Sequence, residues 1–142
     1  MSQQTLSEEA RSFSWLLNGF VEKTAGVTDA VAVSSDGLLM AMSSTLSRAG
    51  GEQLAAIISG LVSLGNGASS CFGFEGLEQV IVTMRRGFLF VSSISDGSCL
   101  GVVSQRGCDI GLVGYQTTLL VERAGQVLSP ALVAELKAGV VA

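Results

Sequence analysis

From Gln53 to Phe74 the chain runs for 22 residues without a charged side chain. Its apolar part, Leu54 to Leu64, falls short of the roughly 20 apolar residues that a bilayer crossing needs. The Gly65-Asn66-Gly67-Ala68-Ser69-Ser70 that follows suits no membrane core, so no direct membrane insertion is expected. A helix on the surface of a soluble domain shows water a charged face, and this one has none to show. The expectation is a helix from Ser47 to about Ser69, covered on one side by its own sheet and on the other by a second molecule.

Projected at 100° per residue, Leu54, Ile57, Ile58, Leu61, Val62 and Leu64 fill an arc of about 160°, which belongs on a sheet. Opposite them Ala56, Gly60, Ser63 and Gly67 fall within about 60° of one another. A glycine inside a helix costs roughly 1 kcal/mol relative to alanine, and exposed helix faces usually carry Glu and Lys. Small residues in a row let two helix backbones come close, although a plain exposed face that tolerates them stays open as the alternative.

Around this helix the chain reads as one α+β domain of 142 residues, long enough to bury a core. Thr5-Leu6-Ser7-Glu8 fits a capping box, and Ala10, Phe13, Leu17, Phe20 and Val21 recur at helical spacing until Gly26. Two apolar runs, from Asp29 to Ser35 and from Leu38 to Met42, flank Asp36-Gly37, the strongest short hairpin signal. After the charge-poor helix, Gln79 to Met84, Phe88 to Ser95 and Ser98 to Ser104 form a meander with turns at Arg85-Arg86-Gly87 and Asp96-Gly97. Asp109 starts a helix to about Ala124, and Ser129-Pro130 opens a short tail helix. Tight connections make a five-stranded antiparallel sheet, sandwiched by helices in the order α-β-β-α-β-β-β-α, with two helices on one face and the charge-poor helix on the other. The expected division is a domain over residues 6–128 and a helical tail over 129–142.

In the third strand Gln79, Ile81 and Thr83 point one way, with Leu77, while Glu78, Val80, Val82 and Met84 point the other. As an edge strand it would invite a second copy to continue the sheet; as a central strand it would only pack. In the last long helix Ile110, Val113, Thr117, Leu120, Val121 and Ala124 form a core stripe. Leu112, Tyr115 and Leu119 form a second strip, to be covered by the tail helix or by a partner.

Few function classes survive the composition. Histidine is absent, which removes the commonest general base and metal ligand, so no catalytic residue, metal site or cofactor is expected. The net charge of -4 and eight dispersed basic residues give nucleic acid no track to follow. Residues 1–9 lack the basic and apolar regions of a secretory signal. Cys71, Cys99 and Cys108, odd in number and without C-x-x-C spacing, read as reduced thiols in a cytoplasmic protein. Cys71 and Cys99 read as small core residues, and Cys108 sits at the start of the last long helix. A single-domain sensor of a small ligand or of thiol redox state is the rival reading.

Several segments in this order resemble the roadblock family, also called dynein light chain seven. They include Trp15-Leu16-Leu17, Ala30-Val31-Ala32-Val33-Ser34-Ser35-Asp36-Gly37-Leu38-Leu39 and Gly60-Leu61 with Ser63-Leu64. Gly87-Phe88-Leu89-Phe90-Val91, Asp96-Gly97-Ser98-Cys99-Leu100 and Asp109-Ile110-Gly111-Leu112-Val113-Gly114-Tyr115 complete the set, over about residues 6–128. The resemblance is strongest to the small roadblock proteins of actinobacterial conservons, encoded beside a sensor kinase and a small GTPase. It implies a non-enzymatic homodimer in which third strands pair across a two-fold axis and second helices pack together. Such a platform would engage a Ras-like GTPase, with a membrane sensor kinase as a further partner and recruitment to the membrane only through partners. Ala56, Gly60, Ser63, Gly67, Gln79, Ile81 and Thr83 would then form the interface, with Arg48 and Arg85 as candidate GTPase contacts. The second helix begins Arg48-Ala49-Gly50-Gly51-Glu52, where the family usually carries acidic residues.

Overall fold

Residues 7–139 are described by a computed structural model. The elements run α1 (Glu8–Lys23), β1 (Val27–Val33), β2 (Leu39–Met42), α2 (Arg48–Phe72), β3 (Gln79–Thr83), β4 (Gly87–Ser93), β5 (Cys99–Gln105), α3 (Ile110–Val127) and α4 (Pro130–Gly139). The five strands form one antiparallel sheet in the order β2-β1-β5-β4-β3. β3 is therefore an edge strand, paired among the described residues with β4 alone.

Alternation along β1, β4 and β5 sorts side chains to two faces. Ala30, Ala32, Phe88, Phe90, Leu100 and Val102 pack under α1, α3 and α4. Val31, Val33, Leu89, Val91 and Cys99 pack under α2, with Val80 and Val82 at the margin. The tail helix thus joins α1 and α3 on the first face, where Leu132 and Leu136 are buried. It lies against β2 and α1, and leaves Tyr115 61% and Leu112 43% exposed. The apolar strip of α3 is not the seat of the tail.

Helix termini are fixed by side chains whose bonds the sequence partly announces. Ser7, not Thr5, is the N-cap of α1: its hydroxyl accepts from Ala10 N at 3.2 Å. Thr5 lies outside the described residues. The expected reciprocal carboxylate comes from α4, because Glu135 accepts from Ser7 N at 2.6 Å and from Ser7 Oγ at 2.7 Å. Glu8 stays in the first turn, where its charge suits the helix dipole. Ser47 caps α2 and Asp109 caps α3 through their side chains. At the first hairpin, Gly37 takes φ +86° and Ser34 N donates to Leu38 O at 2.8 Å.

α2 departs most from expectation. It continues through Gly65 and Gly67 to Phe72 and stops at Gly73, a left-handed cap. Asn66 and Ser69 hold this last stretch by accepting from Leu77 N at 3.0 Å and Gly76 N at 2.7 Å. At 25 residues, with an 18-residue stretch of mean hydropathy 1.4, α2 is the one described helix long and apolar enough to cross a membrane by length and composition. It lies along the sheet, with Ile58 fully buried.

Its buried side is also turned from the predicted arc. Gly51 meets Met42 and Leu39, Ala55 is buried, and Ile58 enters the space over Gly101. Close approach occurs where the helix is smallest, so Ile57 and Leu64 rotate outward to 49% and 75% exposure. Two further expectations fail: Ile110, in the first turn of α3, is exposed, and Cys71 faces solvent.

Candidate interaction surface

The outward side of α2 carries Ala56, Gly60, Ser63 and Gly67, all exposed, together with Ile57 and Leu64. A Cβ built on Gly60 or Gly67 would meet nothing within 4 Å. Neither glycine is required by packing within its own chain. The inward glycines differ: a Cβ on Gly51 would come within 2.7 Å of Met42 Sδ, and on Gly65 within 2.7 Å of Leu77 Cδ2. The outward seam therefore forgoes helix propensity with no intrachain return.

Beside it runs the free edge of β3. Gln79, Ile81 and Thr83 are exposed, and since Val80 and Val82 turn under α2, these three side chains face the opposite side of the sheet. The backbone edge, not one continuous side-chain patch, joins them to the α2 seam. At the corner between helix and strand, Phe72 and Phe74 stack with ring centroids 5.5 Å apart, about 70% exposed. The sequence reading passed over this pair by ending the helix near Ser69. Two phenylalanines flanking a helix-stop glycine are the signal that marks them.

Arg48 and Arg85 are not brought together. Arg48 opens α2 over β2, its Nε 2.7 Å from Glu52 Oε1. Arg85 is exposed in the β3–β4 turn, at the other edge of the sheet. That turn is steadied by Arg106, which donates to Met84 O at 3.1 Å and lies 5.2 Å from the Phe88 ring centroid.

Between α2 and the two Asp-Gly turns is a crevice of about 340 Å³, lined by Ser34, Asp36, Ser59, Ser63, Asn66 and Cys99 among others. Ser34 Oγ donates to Asp36, and that bond, opposed by partial burial and aided by Lys137, lowers the Asp36 carboxyl below its ordinary range. Burial, and secondarily Asp96, pushes the Cys99 thiol up, which keeps it protonated and a poor nucleophile. Cys108 is half-buried with its Sγ 3.3 Å from Ser104 Oγ. Among the described residues no group of three or more His, Cys, Asp or Glu is placed to hold a metal ion.

Residues 13–104 match the Roadblock/LC7 domain. A crystal structure of a Roadblock/LC7 domain from Streptomyces avermitilis is similar at 36% identity and TM-score 0.74, over 78% of this chain and 92% of that one. A second structure of a Roadblock/LC7 domain from that organism is similar at 33% identity and TM-score 0.65, over 82% and 98%. Myxococcus xanthus MglB shares the fold at TM-score 0.78 and 13% identity, over 89% and 98%. No match was found among curated protein sequences.

Proposed function

Because the chain belongs to the Roadblock/LC7 family, we propose that it is a non-enzymatic, homodimeric adaptor that binds a small Ras-like GTPase and modulates its nucleotide cycle. The dimer forms by pairing of β3 edges and packing of α2 against its copy. The observation that carries this reading is the outward side of α2, uncharged from Gln53 to Phe74, with Leu64 75% exposed and two glycines unfilled by their own chain. Large exposed apolar patches rimmed by polar residues mark association sites.

The two α2 helices then present one platform to the GTPase, in a cytoplasmic signalling set that includes a membrane sensor kinase. Arg48 is paired with Glu52 on the surface and Arg85 sits in the β3–β4 turn, apart from it, and on this reading neither acts as an arginine finger. Any acceleration of hydrolysis comes from positioning the GTPase's own residues.

Light scattering on wild type and Gly60→Glu tests the dimer. Wild type runs at twice 14.6 kDa and the variant, its fold retained by circular dichroism, at the single mass. A monomeric wild type, or a Gly60→Glu dimer of unchanged stability, counts against the platform. Affinity capture with GDP and with a non-hydrolysable GTP analogue tests the partner: a GTPase held in one nucleotide state supports a regulator. A stimulated rate that collapses in Arg48→Ala while binding survives would overturn the positioning mechanism.

A further inference from the structure

On the face of the sheet opposite α2, a groove of about 490 Å³ runs between α1 and α3. Its walls include Trp15, Leu16, Gly19, Lys23, Leu119 and Arg123. Trp15 is 72% exposed and is the single tryptophan of the chain. Nothing lies within 4 Å of where a Cβ on Gly19 would stand. The apolar lining continues along α3 through exposed Tyr115 and Leu112, the strip that the tail helix leaves uncovered.

The groove's charges point to its occupant. Lys23 Nζ sits 5.9 Å from the Trp15 ring centroid, and neither Lys23 nor Arg123 is in an ion pair among the described residues. Glu122 also borders the groove, so the rim carries two cations against one anion in a chain whose net charge is -4. Tryptophan and arginine are the residue types that most often anchor protein interfaces. A channel between two helices takes a third helix, whose apolar side chains seat between the two ridges.

We propose that the α1–α3 groove binds an amphipathic helix of a partner protein, with its apolar stripe on Trp15, Leu16 and Leu119 and its carboxylates on Lys23 and Arg123. This site is separate from the α2 and β3 surface and stays open in the proposed dimer, once per protomer. It does not rest on the GTPase reading.

The probe is a displayed library of 15-residue helix-forming peptides, with Leu, Ile or Phe at helical spacing and Glu, Lys or Gln randomised beside them. Trp15 emission gives a site-specific readout. The expected result is selection of Glu-rich peptides that bind saturably and shift Trp15 emission to the blue. Their affinity should fall at least about tenfold in Lys23→Glu, a charge reversal at the rim. Gly19→Leu fills the groove where space is open, and should abolish binding while leaving the thermal transition no lower than in wild type, since leucine is the better helix former, and the dimer mass unchanged. No binders, binders without acidic preference, binders that leave Trp15 emission unmoved, or binding that survives Gly19→Leu would each overturn the proposal. None of these outcomes touches the α2 platform, which the mass of Gly60→Glu tests alone.

Discussion

At the residue scale, the glycine with the least room for a side chain among those described is Gly101, beneath Ile58. A Cβ on Gly101 would stand 2.2 Å from Ile58 Cδ1 and 3.2 Å from Val31 Cγ2, so β5 is hollowed where α2 crosses it. Gly101→Ala should lower stability by about 1–3 kcal/mol through overpacking, read from urea unfolding. Ile58→Val removes that Cδ1 methyl, and the double variant should lose less than the sum of the two single losses. A second residue-scale prediction concerns Glu135, whose carboxyl is held below the ordinary glutamate range by the Ser7 N–H, then by the Ser7 hydroxyl. Its folded pKa lies below its unfolded one. The stabilisation is therefore present above the ordinary glutamate range and is lost as pH falls through the depressed value. Carbon-detected titration of the Glu135 carboxyl should show the low midpoint in wild type. In Ser7→Ala the midpoint should return part of the way, since the backbone donor remains.

At the element scale, α2 shows what a sequence does and does not make legible. Strand alternation, the two Asp-Gly turns and the helix starts at Ser47 and Asp109 were readable because each depends on neighbours within a few residues. The antiparallel sense of the sheet followed from short connections, whereas the strand order, with β1 beside β5, emerged only with the fold. The bounds and rotation of α2 were not readable. Gly65 and Gly67 argue locally for a stop, yet Asn66 and Ser69 are bonded to backbone that arrives later in the chain. The outward turn of Ile57 and Leu64 depends on Gly51 and Ile58 of α2 meeting Met42, Leu39 and Gly101, which lie on two other elements. Of the candidate surface, the small seam and the β3 segment were visible in the sequence. Phe72 and Phe74 were missed, and the separation of Arg48 from Arg85 emerged only with the fold. The tail helix gives this scale its prediction. Leu132 is 3% exposed in the first core, so Leu132→Ala should lower stability by about 2–5 kcal/mol, checked by chemical denaturation. A tail that merely rested on the domain would show no such loss.

At the scale of the whole molecule, the sheet is a partition between two surfaces with different proposed occupants. Gly60 and Gly19 lie on opposite sides of it, without shared neighbours. Gly60→Glu should change mass without weakening acidic peptides at Trp15, and Gly19→Leu should do the reverse. The two effects should add in the double variant, as measured by light scattering and tryptophan emission on the same samples.

The two ends of the sheet are unequal. β3 leaves one whole edge unpaired, whereas β2 is four residues long, with α4 packed against it and the start of α2 over it through Gly51. A building block with two usable edges propagates and forms fibres; one with a single usable edge has a valence of one. Strand pairing through β3 would consume that valence in one event. The chain can thus keep a sticky strand at the surface, because the first copy to arrive also terminates growth.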